Sequence, residues 1–257
     1  MIKVFVDDFL DLPDHILLKM PNAIFLPVKP RMAQEEYIRA FESEMEEKND
    51  IIYVSVSTQF NKNVKNARLA IEKLSEKYKK NRIINIDTCT ISTAAGYLAY
   101  YVYRQVEQGV KIDQIKKNID DHKISKYVFF IVNDISTLQK RGVASKEILA
   151  GGSILGRRDI LTISPSGKVK KFAQVSGPKK AISELTDLVE KFGRNVADHR
   201  VAIIYSGEKQ RAFDVKNTLL EKFNIENNID IVKINKEFKK LAGDDVLGIV
   251  FNGKKVR

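Results

Sequence analysis

The sequence predicts an α/β fold in two parts: a mainly parallel sheet flanked by helices in the N-terminal part, then a second, mixed α/β subdomain with a β-hairpin. Three observations predict it. Short continuous apolar runs recur through the first half, at residues 2–6, 23–27, 51–56, 83–86 and 127–132. Helical patterns separate most of them. Near residue 150 the pattern changes to alternating strands around a turn. Continuous runs, rather than strict alternation, suit strands covered on both faces. Strands alternating with helices imply right-handed crossovers and a parallel sheet.

The helices follow from spacing. Over 63–78, Val64, Ala67, Ile71 and Leu74 fall on one face, and over 93–108 Ala95, Leu98, Ala99, Val102 and Val106 do the same. The second of these closes at Gly109, a good helix terminator. A third helix is expected over 112–119. In the second half, residues 159–163 and 168–172 flank Ser164-Pro165-Ser166-Gly167, which reads as a hairpin. A helix over 178–192 starts on Pro178, a favoured first-turn residue. A strand at 200–205, a helix at 209–223 and strands at 229–234 and 246–251 complete the chain. The expected domains are residues 1–153 and 154–257.

Bulk properties exclude several classes. With 257 residues, 44% of them hydrophobic, the chain can bury a real core and is not disordered. Cys89 is the single cysteine, so no intramolecular disulfide forms, and a cytoplasmic location is expected. No long apolar run follows Lys3, as a secretion signal would require, and no stretch approaches the ~18 apolar residues of a membrane span. The net charge of +11 comes from scattered lysines such as Lys62, Lys65, Lys73 and Lys77, without interleaved aromatic residues. That pattern reads as a solvated face and predicts no nucleic-acid partner. Basic pairs at Arg157-Arg158 and Lys179-Lys180 leave a protein docking surface or peripheral membrane contact open.

In a parallel sheet, ligands gather at the carboxyl ends of the strands, beside unpaired N–H groups of the following helices. Here the first run ends in Asp7-Asp8, the third in Ser57-Thr58-Gln59 with Asn61 and Asn63 next, and the fourth in Asp87-Thr88-Cys89-Thr90-Ile91-Ser92-Thr93. Hydroxyl and amide side chains at neighbouring tips can hold a carboxylate without a basic residue. The plainer reading is that Ser92 and Asn63 are helix N-caps. His15, His122 and His199 lack the spacing of a metal site or triad, and Asp7 with Asp8 has no third ligand. No catalytic set, metal or cofactor is expected, so the chain is read as a non-enzyme.

These residues carry a likeness. Val4-Phe5-Val6-Asp7 with Asp11-Leu12-Pro13 resembles the start of the DegV family, a strand followed by Asp-Ser and then Asp-Leu-Pro. Ile86-Asp87-Thr88 to Ser92 and Gly96 resembles that family's Asp-Ser...Ser loop entering a Gly-bearing helix. Asn61-Lys62-Asn63 stands where the family has Ser-Gly-Thr, and Leu138-Gln139-Lys140-Arg141-Gly142 resembles its Leu-Lys-Lys-Gly-Gly-Arg stretch. The resemblance implies a fatty-acid-binding protein. It places the carboxylate on Ser92 and Asn63, with Thr88, Ser57 and Asp7 in support, and the acyl chain in the first domain against residues such as Leu98 and Ile71. It also implies a separate fatty acid kinase as partner, to which the carrier presents that carboxylate. The positions expected to engage phosphate or kinase hold Val143, Ser176 and Leu241 instead of Arg, Arg and His. The alternative is therefore an interaction protein that kept the fold and lost the ligand.

Overall fold

A computed structural model describes the chain except residues 8, 28, 30, 133, 134, 145–156 and 255–257. Its residues group into two compact units, Met1–Ile91 with Ala95–Lys123, and Ser92–Ala94 with Ile124–Arg257. The expected boundary at 153/154 falls outside the described residues. The grouping changes unit after Lys123.

In the first unit, β1 (Ile2–Asp7), β2 (Ile24–Leu26), β3 (Asp50–Ser55) and β4 (Ile83–Asp87) form a parallel sheet in the order β2-β1-β3-β4. Its helices are α1 (Asp14–Leu17), α2 (Gln34–Glu46), α3 (Val64–Lys77), α4 (Ser92–Glu107) and α5 (Ile112–Lys123). Side chains alternate along each strand, so Phe5, Ile51, Tyr53 and Ile83 share one face. They pack against Tyr37, Phe41 and Met45 of α2 and Ala67, Ile71 and Leu74 of α3. Phe41 meets Phe5 edge-on, ring centroids 5.1 Å apart, a preferred aromatic geometry. The expected elements lack α2. Only every fourth residue of this glutamate-rich helix, Tyr37, Phe41 and Met45, is buried, which leaves a narrow apolar stripe.

The second unit holds a six-stranded mixed sheet in the order β7-β6-β5-β10-β8-β9. Its strands are β5 (Lys126–Val132), β6 (Arg157–Ile163), β7 (Val169–Ser176), β8 (Val201–Tyr205), β9 (Ile229–Lys233) and β10 (Val246–Asn252). Helices α6 (Ser136–Lys140), α7 (Pro178–Phe192), α8 (Lys209–Lys222) and α9 (Lys236–Ala242) accompany it. The predicted hairpin is β6–β7, and β8 and β9 are the parallel pair joined by α8. One expectation needs correction. The run over 127–132 belongs to this sheet, antiparallel to both β6 and β10, and not to the parallel sheet. An apolar run shows that a strand is covered on both faces, not which sheet it joins.

Phe129, Ile203, Ile249 and Phe251 line one face of this sheet and pack with Leu185, Leu188 and Val189 of α7 and Val215 and Leu219 of α8. At the centre of β10, Gly248 lies between β5 and β8. A Cβ there would stand 2.7 Å from the Phe130 Cβ and 2.8 Å from the Phe129 carbonyl oxygen. Gly248→Ala should therefore destabilise the chain by about 1–3 kcal/mol, as overpacking does. A fall in the urea midpoint at unchanged slope is the expected readout.

Candidate functional site

At the first strand tip, Asp7 is buried and accepts hydrogen bonds from several segments. The Phe9 N–H donates at 3.0 Å, the Asn61 amide at 3.1 and 3.3 Å, and the Tyr53 hydroxyl at 3.4 Å. Burial pushes the Asp7 carboxyl up to about 6, against the pull of donors from Phe9, Asn61, Val56 and Tyr53. The same burial, with the charge of Asp7, raises the Tyr53 phenol well above its usual value and Tyr37 to about 12. A cavity of about 10 Å³ adjoins Asp7, Tyr37, Tyr53, Asn61, Asn63 and Lys29. That is room for about one water molecule.

The chain after β3 folds on its own side chains. Ser57 Oγ accepts the Gln59 N–H at 3.2 Å, and Asn61 Oδ1 accepts the Asn63 N–H at 3.0 Å. Such local bonds are what Ser and Asn bring to turns. After β4, the Ser55 carbonyl accepts both the Thr88 N–H at 3.0 Å and the Thr88 hydroxyl at 2.9 Å. The Ser57 N–H donates to the Thr90 carbonyl at 2.8 Å, so the two tips are tied through main chain. Asp87 accepts the Cys89 N–H at 2.8 Å and pairs with Arg68 at 2.8 Å. Cys89 and Ser92 both hold positive φ, 52° and 55°, a region that costs non-glycine residues energy. Gly96 lets α4 pass close to the Asp11 main chain and the Leu12 side chain, since a Cβ there would lie 2.4 Å from the Asp11 carbonyl oxygen.

Of the expected ligand residues, Asp7, Ser57, Thr88 and Asn63 lie in the first unit, and Ser92 in the three-residue segment grouped with the second. Asp8 is outside the described residues. The capping reading of Ser92 and Asn63 is corrected. Asn63 occupies the N-cap position of α3, but its side chain caps nothing and donates to the Lys29 carbonyl at 3.0 Å. Ser92 is fully buried and is the first residue of α4, one place after the N-cap Ile91. Thr88 and Ser57 have their hydroxyls engaged within the chain. Ile71 belongs to the α2/α3 layer, and Leu98 is buried outside that layer, so the two do not share one apolar face. The sequence reading missed Tyr53 and Asn61 as hydrogen-bond partners of Asp7, and Tyr37 as a neighbour whose phenol its charge perturbs. It also gave no role to Thr90 and Thr93, whose hydroxyls are buried without a partner.

Two larger clefts lie elsewhere. One of about 310 Å³ lies beside β4, and in its lining Lys116 and Lys123 both pair with Asp120, at 2.8 and 2.7 Å, and Arg68 pairs with Asp87 at 2.8 Å. One of about 480 Å³ is lined by Met1, Ile2, Asp50 and Arg82, at the amino ends of the strands. Among the described residues, no three His, Cys, Asp or Glu side chains are placed to hold a metal ion, and no helix is long and apolar enough to cross a membrane.

A two-unit α/β protein with polar side chains gathered at the carboxyl tips of a parallel sheet is the class this fold defines. The model of a family described as "Uncharacterised protein, DegV family" matches residues 3–254, and the chain belongs to the DegV family. A DegV domain-containing protein of Clostridium perfringens is 25% identical over 202 residues, 79% of this chain and 69% of that protein. A fatty-acid-binding DegV family protein from Thermus thermophilus superposes with a TM-score of 0.84 at 16% identity, over 98% of this chain and 99% of that one. A DegV family protein from Ruminococcus gnavus, refined with vaccenic acid, gives a TM-score of 0.82 at 18% identity, over 97% and 99%.

The Asp7 carboxyl makes stability depend on pH. Its folded value of about 6 lies above the ordinary 3.8, so the folded state holds the proton more tightly. The contribution is complete below 3.8 and is lost as pH rises through about 6. Its full size is about 3 kcal/mol. Urea unfolding at pH 7.5 and pH 5 should show wild type gaining stability on acidification relative to Asp7→Asn, whose slope over this window should be flatter.

Proposed function

We propose that this chain binds a long-chain fatty acid non-covalently and serves as its carrier, without catalysing a reaction of its own. The carboxylate is held at the start of α4 by Ser92, with the second amide hydrogen of Asn63 as a further donor. The supporting observation is the loop over 88–93, where Thr88, Thr90, Ser92 and Thr93 are all fully buried at the amino end of a sixteen-residue helix. Buried hydroxyls and helix N–H groups are suited to a monoanion. The Thermus protein of the same fold binds fatty acid, and the Ruminococcus protein was refined with one.

The acyl chain supplies the affinity. Each buried methylene is worth about 0.8 kcal/mol, so a long tail outweighs a modest head-group site. The α2/α3 face is filled by Phe5, Phe41 and Tyr53, so the tail takes Leu98 rather than Ile71 as its contact. A kinase that receives the carboxylate is the partner class this reading carries.

One observation favours a second reading, an interaction protein without ligand. Val143 and Leu241, at positions where the resemblance leads one to expect cationic side chains, are buried apolar groups of the second unit. Denaturing mass spectrometry of the purified protein separates the two. The carrier reading predicts co-purified fatty acid, or a rise in melting temperature with palmitate or oleate, and Ser92→Ala should weaken binding by about 1 kcal/mol. Neither lipid nor thermal shift, with a stable protein partner recovered instead, would leave only the second reading.

A further inference from the structure

Hydroxyl groups along the loops that follow β3 and β4 fall into two kinds. Thr88 Oγ1 donates to the Ser55 carbonyl at 2.9 Å, and Ser57 Oγ accepts from Gln59 at 3.2 Å. These two have work inside the chain, holding the tips of β3 and β4 in shape. Thr90 Oγ1 and Thr93 Oγ1 have none, although both residues are completely buried.

An unsatisfied buried hydroxyl costs about 1–3 kcal/mol, and the large majority of buried side-chain polar atoms find a partner. Two exceptions within four residues therefore need an explanation. Threonine side chains commonly bond to nearby main-chain groups, but the Thr93 hydroxyl makes no such bond. The main chain around them is committed: the Thr90 carbonyl accepts from Ser57 and the Ile91 carbonyl from Ala95 at 3.5 Å. The loop that carries them also holds Cys89 and Ser92 in the left-handed region.

We propose that Thr90 and Thr93 are further head-group residues, whose hydroxyls meet the carboxylate of the bound acid. This rests on the carrier reading and moves the supporting role from Thr88 and Ser57 to these two side chains. A hydroxyl donates or accepts as required. The set therefore matches a carboxyl head in either protonation state, and it asks for a ligand with a small terminal polar group rather than an ester or a bulky headgroup.

The test uses the delipidated full-length protein with oleate and methyl oleate as probes. Thr90→Val and Thr93→Val keep the shape and remove the hydroxyl. Each should lower oleate affinity about tenfold, the scale of one hydrogen bond to a charged group, and narrow the preference for oleate over methyl oleate. Without ligand, their melting temperatures should equal or exceed wild type, because a methyl group replaces an unsatisfied hydroxyl. Thr90→Ser and Thr93→Ser should retain near-normal binding, and they report on the hydroxyl if a valine variant fails to fold. Val variants that bind oleate like wild type, while Ser92→Ala is weakened, would overturn this assignment and leave the carrier reading intact. So would a ligand-free protein clearly destabilised by both valines, which would mean the hydroxyls have protein partners. A wild-type protein that binds no oleate would overturn the carrier reading and this assignment together.

Discussion

Asp7 is gripped by donors from separate segments: the Phe9 main chain just beyond β1, the Tyr53 phenol of β3, and the Asn61 amide of the loop that follows. Asn61 in turn accepts from Asn63, where α3 begins. One carboxylate thus sets the spacing between the central strands at their tips and the place where a helix starts. Its burial has a cost, visible in the raised carboxyl and the raised phenols of Tyr37 and Tyr53. Buried polar networks are retained when every member is satisfied, and this one specifies a single arrangement of the tips. The 88–93 loop is tied to it through the main-chain bond between Ser57 and Thr90.

Much of the fold was legible in the sequence because burial on both faces of a strand leaves a continuous apolar run. All four strands of the parallel sheet and helices α3, α4 and α7 stand within a residue or two of their expected places. What sheet a strand joins is not written in such a run. Phe129 and Phe130 are as apolar in an antiparallel centre as they would be in a parallel one, and β5 was misplaced for that reason. Helix α2 escaped because its only buried residues, Tyr37, Phe41 and Met45, are spaced among glutamates.

The site was legible as a place more than as a set of contacts. Hydroxyl and amide residues cluster at two neighbouring strand tips, and that clustering is readable from the sequence alone. Which hydroxyl is occupied depends on carbonyls such as Ser55, whose positions only the folded chain reveals. Asn63 illustrates the limit: its type and position fit a cap, yet its amide reaches the Lys29 carbonyl in the loop after β2. Thr90 and Thr93 illustrate the converse, since nothing in their identity distinguishes them from Thr88.

The order of strands in the second unit has a bearing on biosynthesis. β10, the last of the described strands in sequence order, lies between β5 and β8 in the middle of the sheet. Until residue 252 has left the ribosome, the segments on either side are two separate strand groups, each with an open inner edge. Exposed edges of this kind invite pairing with other chains. Completion of the sheet therefore waits on the synthesis of β10, and a nascent chain stopped short of it carries unpaired backbone where the folded sheet has a buried central strand.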